Sequence, residues 1–267
     1  MELMKRILIP TDFSAVANNA VLYALALTKD TNAKYVFFHA GKEDALKLKE
    51  NIRNVSPIVD VLQKNVLYEA ADIDFKGDEI NNIVKKYGID LLIMGTHGEK
   101  TPISPNIFGS NTSALIERLN IPVIAVPPTY TYRGISKVAY AADLINLKKE
   151  LSKVIAFAKT VKASIDIIHV TPVFPDLGDI EKIDVNNLID EVKKKNNFDE
   201  ISYYIEKTKN DNQIAKGIED YIKDHSPDLL AIFHISRSWI DKIVIPSATV
   251  KEVTRIKIPI LIFPKEL

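Results

Sequence analysis

The stretch YGIDLLIMG (residues 87–95) decides the fold, because it joins the end of a helical segment to a short apolar strand and recurs later in the chain. Its counterpart, HSPDLLAIF (residues 225–233), follows 138 positions later. A second pair, IPVIAVP (residues 121–127) and IPILIFP (residues 258–264), is 137 positions apart. An internal duplication of ~135 residues explains both matches, and each copy then has the length of an ordinary domain.

Two polar residues repeat with nearly the same spacing. Asp12 matches Asp143 at an offset of 131 positions, and His39 matches His169 at an offset of 130. Small slips of this kind are accommodated in loops. The matches place the boundary between the copies near Thr129–Gly134.

Short apolar runs alternate with stretches of helical periodicity along the chain, which is typical of a parallel sheet covered by helices on both faces. In the first half we predict five strands, at Arg6–Pro10, Tyr35–His39, Val66–Ala71, Leu91–Gly95 and Pro122–Val126. The sequence therefore predicts an α/β protein of two tandem domains, residues 1–130 and 134–267, each with a doubly wound, mostly parallel five-stranded sheet.

Local signals define several helices of the first half. Ser14 is a candidate N-cap, and residues 15–28 contain no charged side chain, so we expect a helix that is buried on much of its surface. Gly88 is expected to end another helix. Ser56 and Pro57 are expected to interrupt the helical segment that precedes them.

Composition excludes several classes of function. Basic and acidic residues number 35 each, so nucleic acid and anionic membranes are not expected partners. The chain has no cysteine, which excludes disulfides and thiolate catalysis. No apolar stretch approaches the ~20 residues of a membrane span, and the apolar run near the start is too short for a signal peptide. We therefore expect a cytoplasmic protein.

The stretch MGTHGEKTPISPNIFGSNT (residues 94–112) leaves a central strand and enters a helix that begins near Ser110. Its three glycines, Gly95, Gly98 and Gly109, allow sharp turns and close approach of the backbone to a ligand. A helix N-terminus favours a phosphate, and ligands of open α/β sheets bind at the carboxyl ends of the strands. Glycines at a strand-to-helix turn also have a purely structural explanation, and the two readings are balanced on this stretch alone.

The surrounding motifs extend this pattern. In order they are ILIPTDFS (residues 7–14), HA (residues 39–40), MGTHG (residues 94–98), and GSNT (residues 109–112) followed by IPVIAVP. Over residues 4–127 this combination closely resembles the universal stress protein family. The resemblance implies a Rossmann-like fold of the adenine nucleotide alpha hydrolase type, and it implies that the terminal strands of the two domains pair to form an intrachain pseudo-dimer.

The resemblance also implies a function and a site, namely an adenine-nucleotide-binding stress-response regulator that binds ATP through its first domain, with Mg²⁺ accompanying the phosphates. The implied nucleotide-binding residues are Pro10, Thr11, Asp12, Ala40, Met94, Gly95, His97, Gly98, Gly109, Ser110, Asn111 and Thr112. Asp12 is expected to accept a hydrogen bond from the nucleoside. The connection between Gly98 and Gly109 departs from the family pattern by one extra residue and two prolines.

The second domain keeps the frame of this loop and changes its chemistry. Phe233, Ser236 and Pro246 stand where the first domain has its three glycines. Side chains at the first two positions crowd a phosphate, and proline lacks an N–H donor. We therefore expect no nucleotide there, and we interpret Asp143 as a local cap. Trp239 in this loop has two open interpretations, a lid over a vestigial pocket or a partner contact.

No residue set for efficient catalysis is evident, so we expect at most slow ATP hydrolysis or self-phosphorylation, with Ser110 or Thr112 as acceptors. No side-chain cluster has metal-ligand spacing, and His39 and His169 are expected to be hydrogen-bonded, partly buried residues. The alternative function is a nucleotide-free scaffold that acts through dimerisation and an unidentified protein partner. A phospho-receiver is a third hypothesis, which the proline after the fifth strand disfavours because a receiver has lysine there.

Overall fold

The computed structural model describes residues 4–42, 44–62, 65–71, 77–96, 116, 118–172, 178–209, 213–233 and 256–264. By its internal contacts the chain divides into two compact units. The first comprises Glu2–Arg133 together with Lys257–Leu267, and the second comprises Gly134–Ile256. The limits 1–130 and 134–267, drawn from the sequence repeat, stay a prediction.

The first unit alternates strands and helices in the predicted order. Its elements are β1 (Arg6–Pro10), α1 (Ala15–Leu27), β2 (Lys34–Ala40), α2 (Ala45–Val55), a 3₁₀ turn (Pro57–Asp60), β3 (Val66–Ala71), α3 (Gly77–Tyr87), β4 (Leu91–Gly95) and β5 (Val123–Val126), with β10 (Ile260–Phe263) from the end of the chain. The strand order is β3-β2-β1-β4-β5-β10. All neighbours are parallel except β10, which pairs antiparallel with β5.

The second unit contains β6 (Lys137–Ala141), α4 (Leu147–Val161), β7 (Ser164–Pro172), α5 (Gly178–Asn196), β8 (Ile201–Thr208), α6 (Ile214–His225) and β9 (Leu229–Phe233). Its strand order is β9-β6-β7-β8, and the pairs are parallel. The predicted α/β class with a mostly parallel sheet is therefore confirmed.

Buried apolar runs explain why these strands form the centre of each unit. Ile7, Leu8 and Ile9 of β1 are fully buried, as are Leu229 and Leu230 of β9. Strands that are covered on both faces need a continuous apolar run rather than alternation. This is the pattern from which the strands were predicted.

Helix α1 begins and packs as the sequence predicts. The Ser14 hydroxyl oxygen accepts a hydrogen bond from the Ala17 N–H at 3.2 Å, which satisfies one of the free donors at the helix start. Buried side chains extend along the helix from Ala17 to Leu27. The predicted interruption at Ser56 and Pro57 is also present, since α2 ends at Val55 and the 3₁₀ turn follows.

One aspartate anchors the start of the central strand in each unit. The Asp90 carboxylate accepts hydrogen bonds from the backbone N–H groups of Met4, Lys5 and Arg6 at 2.8–3.1 Å. The Asp228 carboxylate accepts from the Ser136 N–H at 2.8 Å and the Lys137 N–H at 3.1 Å. The repeat found in the sequence therefore has a physical counterpart, because the same interaction fixes β1 and β6.

Candidate functional site

The candidate site of the first unit lies where the direction of the strand order changes. From β1 the chain moves to β2 and β3 on one side, and then to β4 on the other side of β1. In open α/β sheets this switch point leaves a crevice outside the carboxyl ends of the strands, where ligands bind. Pro10, Ala40 and Gly95 are the last residues of β1, β2 and β4, so the topology brings these three predicted residues to one edge.

The turn after β1 has a fixed geometry. Asp12 Oδ1 accepts a hydrogen bond from the Ser14 N–H at 3.1 Å, and Thr11 Oγ1 accepts from the Phe13 N–H at 3.0 Å. Phe13 has a φ of 65°, in the left-handed region. Asp12 is solvent-exposed, whereas Thr11 is buried. The turn therefore exposes an acidic side chain at the carboxyl end of β1, while two side-chain hydrogen bonds hold its backbone.

His39 at the end of β2 supports this turn. Its Nδ1 lies 2.8 Å from the carbonyl oxygen of Thr11. Because a carbonyl only accepts, Nδ1 carries the hydrogen and the ring donates. The Phe13 ring stacks on the imidazole with centroids 4.3 Å apart. His39 is hydrogen-bonded as expected, and it is buried rather than partly buried.

Gly95 has a packing role that the sequence alone does not reveal. A Cβ at this position would lie 2.6 Å from Val16 Cγ1 and 3.0 Å from the Val16 carbonyl oxygen. Because backbone atoms cannot move aside easily, the glycine allows α1 to pack closely against β4. Met94 beside it is buried. The sequence predicts that this glycine leaves room for a ligand, and in the structure it leaves room for a helix.

Half of the predicted site lies outside the described residues. These are the loop residues His97, Gly98, Gly109, Ser110, Asn111 and Thr112. The structure thus brings together the residues assigned to the nucleoside, and those assigned to the phosphates remain sequence-based predictions. Within the part of the chain that is described, no group of three or more His, Asp or Glu side chains could hold a metal ion.

The equivalent edge of the second unit repeats the turn. Asp143 Oδ1 accepts a hydrogen bond from the Ile145 N–H at 3.0 Å, the same turn contact that Asp12 makes in the first unit, and its interpretation as a local cap stays a prediction. Leu144 has a φ of 67°, nearly that of Phe13. His169 Nδ1 donates to the Ala142 carbonyl oxygen at 3.0 Å.

The second unit differs from the first at the end of β9. Phe233 occupies the position of Gly95, and its buried ring packs against Tyr140 of β6 with centroids 5.8 Å apart. The Tyr140 hydroxyl donates to the buried Glu150 carboxylate at 2.5 Å. Burial is the main cause that raises the pKa of Glu150, and Asp143 raises it further. Ser236, Trp239 and Pro246 lie outside the described residues.

The sequence did not reveal the Tyr140–Glu150 pair. In the repeat, Tyr140 corresponds to Ile9 and Glu150 corresponds to Asn19. The replacement of an apolar and an amide side chain by two ionisable ones is the sequence signal that could have indicated this pair. The side chains that surround the turn in the second unit therefore differ in kind from those of the first.

The strand order, with its switch point at β1, defines the first unit as a doubly wound α/β domain of the Rossmann-like class. Residues 63–127 match the sequence model of the universal stress protein family. A universal stress protein of Methanocaldococcus jannaschii is 27% identical over 153 residues, covering 46% of this chain and 94% of the relative.

Solved structures extend the likeness to both units. A universal stress protein from Archaeoglobus fulgidus superposes with a TM-score of 0.66 at 16% identity, covering 98% of both chains. A Pseudomonas aeruginosa structure gives a TM-score of 0.62 at 13% identity, covering 98% of this chain and 93% of the other. These two likenesses show a shared fold. Together with the match over residues 63–127, they show a universal-stress-protein domain in the first half and a chain built of two halves of that fold.

Among the described residues, none of the helices is long and apolar enough to cross a membrane.

Proposed function

We propose that the first unit binds an adenine nucleotide, with ATP as the expected ligand, and that the protein acts as a nucleotide-responsive regulator. The observation that carries the proposal is the switch point between β1 and β4, where Asp12 and Gly95 lie at the edge at which such sheets bind ligands. The match of residues 63–127 to the universal stress protein family supports the same assignment.

The chemistry of the described residues fits the nucleoside part of this ligand. Asp12 uses Oδ1 to hold its own turn, which leaves Oδ2 available to accept a hydrogen bond from a ribose hydroxyl or a base N–H. The exposed carboxylate suits a donor and would repel a phosphate, so the phosphates are assigned to the loop from His97 to Thr112. Mg²⁺, where it participates, would be held by the phosphates.

The role of these residues is to bind and orient. His39 donates a hydrogen bond to the Thr11 carbonyl oxygen, and this contact fixes the position of the turn that carries Asp12. A rigid turn lowers the entropy that ligand binding must overcome. Binding at one edge of the sheet, with the phosphates in the following loop, would couple nucleotide occupancy to the surface that this loop presents.

Calorimetric titration with ATP tests the proposal in the intact chain. We expect saturable binding that Asp12→Asn weakens about tenfold, because the amide keeps the turn and loses the charge-assisted hydrogen bond. Gly98→Val and Gly109→Val are expected to abolish binding while the fold persists. The matched control Asp143→Asn changes the same turn in the other unit and should leave ATP affinity unchanged. Absence of heat and of thermal stabilisation at millimolar ATP would remove the proposal.

A nucleotide-free scaffold is the second candidate, and the pairing of β10 with β5 bears on it. Exposed terminal strands invite association between chains, but β10 already occupies the edge of β5. A scaffold would therefore need to bind its partner through another surface. The same titration separates the two candidates, since a scaffold of this kind would show no response to ATP.

A further inference from the structure

Strand β3 lies at the edge of the first unit's sheet. It pairs with β2 along its whole length, and among the described residues no strand pairs with its other side. The Ala71 carbonyl oxygen accepts a hydrogen bond from the Gly41 N–H at 2.9 Å, so Ala71 directs its backbone groups towards β2. Because the backbone direction alternates along a strand, Val66, Tyr68 and Ala70 direct their N–H and C=O groups to the open side. The edge is therefore a row of donors and acceptors that another strand can pair with.

Exposed apolar side chains are concentrated beside this edge. Ile58 in the 3₁₀ turn is 50% exposed, Val61 directly after it is 84% exposed, and Leu67 of β3 is 52% exposed. These three are half of the six large apolar side chains that are exposed in the described part of the chain. Apolar side chains next to an open strand edge mark a surface for association.

The charged groups near the edge are already paired within the chain. Glu69 of β3 accepts a hydrogen bond from Lys86 Nζ at 2.8 Å through one carboxylate oxygen, and the Tyr87 hydroxyl donates to the other. Arg53 Nε of α2 donates to Asp60 Oδ2 of the 3₁₀ turn at 3.0 Å. A partner would therefore meet these groups as compensated pairs, which lowers the cost of covering the edge.

The edge strand of the second unit, β8, has a different surface. It carries Glu206 and Lys207, and it contributes no large apolar side chain to the exposed set. Charged side chains on an edge strand, and lysine above all, discourage pairing with another chain. Strand β3 has neither lysine nor arginine, so it is the edge that is suited to association.

We propose that β3 pairs antiparallel with β3 of a second copy of this chain, about a twofold axis at Tyr68, so that the protein forms a homodimer through its first unit. In an antiparallel pair, residues whose backbone groups point at each other stand opposite. Tyr68 then stands opposite the partner's Tyr68, Val66 opposite the partner's Ala70, and Leu67 opposite the partner's Glu69. This register pairs the outward backbone groups, whereas a shift that set Glu69 opposite the partner's Glu69 would oppose like charges.

The aromatic side chains of the edge fit this register. The Tyr68 ring stacks on Phe37 of β2 with centroids 5.8 Å apart and an interplanar angle of 20°. On the twofold axis, Tyr68 and the partner's Tyr68 lie side by side and continue this row of rings across the interface. The proposal goes beyond the proposed function, and it does not use the terminal strands, because β10 already covers the edge of β5.

Sedimentation velocity of the intact chain tests the proposal. We expect a dimer at about 200 µM that dissociates on dilution to about 1 µM, since one strand pair forms a small interface. Leu67→Lys puts a charge on the edge and should weaken the dimer at least tenfold. The matched control, Leu46→Lys, makes the same change on α2 at a side chain that is 77% exposed, and it should leave the dimer unchanged.

A proline on the edge tests the strand pairing itself. Ala70→Pro removes an N–H that points away from β2, so the sheet of the monomer keeps its hydrogen bonds. We expect this variant to weaken the dimer at least tenfold as well, with thermal unfolding as the check that the unit still folds.

Thiol crosslinking tests the register. The chain has no cysteine, so a single introduced thiol can form a disulfide only between two copies. Tyr68→Cys should crosslink under mild oxidation, because opposite residues of such a pair have Cα atoms about 5.5 Å apart, within the range of a disulfide. Leu46→Cys is the exposed control and should not crosslink.

The proposal is overturned if the parent chain stays monomeric at about 200 µM, if either Leu67→Lys or Ala70→Pro leaves the dimer intact, or if Leu46→Cys crosslinks faster than Tyr68→Cys. ATP titration is independent of these measurements. A chain that dimerises in this way without binding ATP would contradict only the proposed function.

Discussion

The two halves of this protein build the same turn and surround it differently. In both, an aspartate holds the turn after the central strand, the next residue is left-handed, and a histidine from the neighbouring strand donates to the backbone. In the first half a phenylalanine stacks on that histidine, and in the second half the histidine borders a pocket. The comparison teaches that the backbone frame survives duplication while the groups that decide what binds are exchanged.

The largest expected effect concerns the residue that ends the fourth strand of each half. Phe233→Ala removes a buried ring that contacts Tyr140, so we expect a loss of about 3–5 kcal/mol in the free energy of unfolding of the second unit. Urea unfolding measures this loss. A loss below about 1 kcal/mol would show that the Phe233 ring contributes little to the core of the second unit.

The matched change in the first half is made at Gly95, the equivalent of Phe233, and it adds a methyl group instead of removing a ring. Gly95→Ala brings a Cβ within 2.6 Å of Val16 Cγ1, and we expect a loss of about 1–3 kcal/mol from overpacking. If Gly95→Ala unfolds like the parent protein but loses ATP binding, the glycine would serve the ligand rather than the helix.

A third difference between the halves lies at the residue that follows the helix before the fourth strand, α3 in the first half and α6 in the second. Gly88 has a φ of 61°, and its counterpart Ser226 has a φ of 49° although it carries a side chain. Ser226→Gly should therefore stabilise the second unit by about 1 kcal/mol. Gly88→Ser should destabilise the first, because a residue with a Cβ is strained at this left-handed φ. Thermal unfolding of both variants checks the opposite signs, and equal signs would contradict the equivalence.

A smaller, pH-dependent effect is expected from Glu150, a buried acid at the position where the first half has Asn19. Burial raises the pKa of Glu150, so the folded state holds its proton more tightly than the unfolded state. The contribution of this group to stability is then present below its ordinary pKa and is lost as pH rises through the raised value.

The variant Glu150→Gln removes that dependence and can still accept the hydrogen bond from Tyr140. It should therefore gain stability relative to the parent as pH rises from about 4 to 8, because the parent pays for deprotonating a buried carboxyl and the variant does not. Denaturant unfolding across this range measures the gain. A difference between variant and parent that does not change with pH would contradict the assignment.

Much of the fold could be predicted because its signals are local. The bounds of β1, β3 and β4 follow from apolar runs, the start of α1 from Ser14, and the break after α2 from Ser56 and Pro57. The aspartates at 12 and 143 could be paired from their spacing alone. Each of these signals lies within a few residues of the feature that it specifies.

The rest depends on contacts between segments that are distant in sequence. The packing of Val16 against Gly95 and the approach of α6 at Gly217 both require knowledge of which helix covers which strand. The pocket at Asp143 and His169 exists because of that approach, so the sequence identified its polar residues without revealing the space between them. The phosphate loop of the first unit remains a prediction of the sequence.

The most direct test of the central claim, one frame with a nucleotide site in only one half, is the stoichiometry of ATP binding to the intact chain by calorimetry. The account predicts one ATP per chain, with affinity lowered about tenfold by Asp12→Asn and unchanged by Asp143→Asn. Two equivalent sites, or a loss of ATP binding that follows Asp143 rather than Asp12, would contradict it.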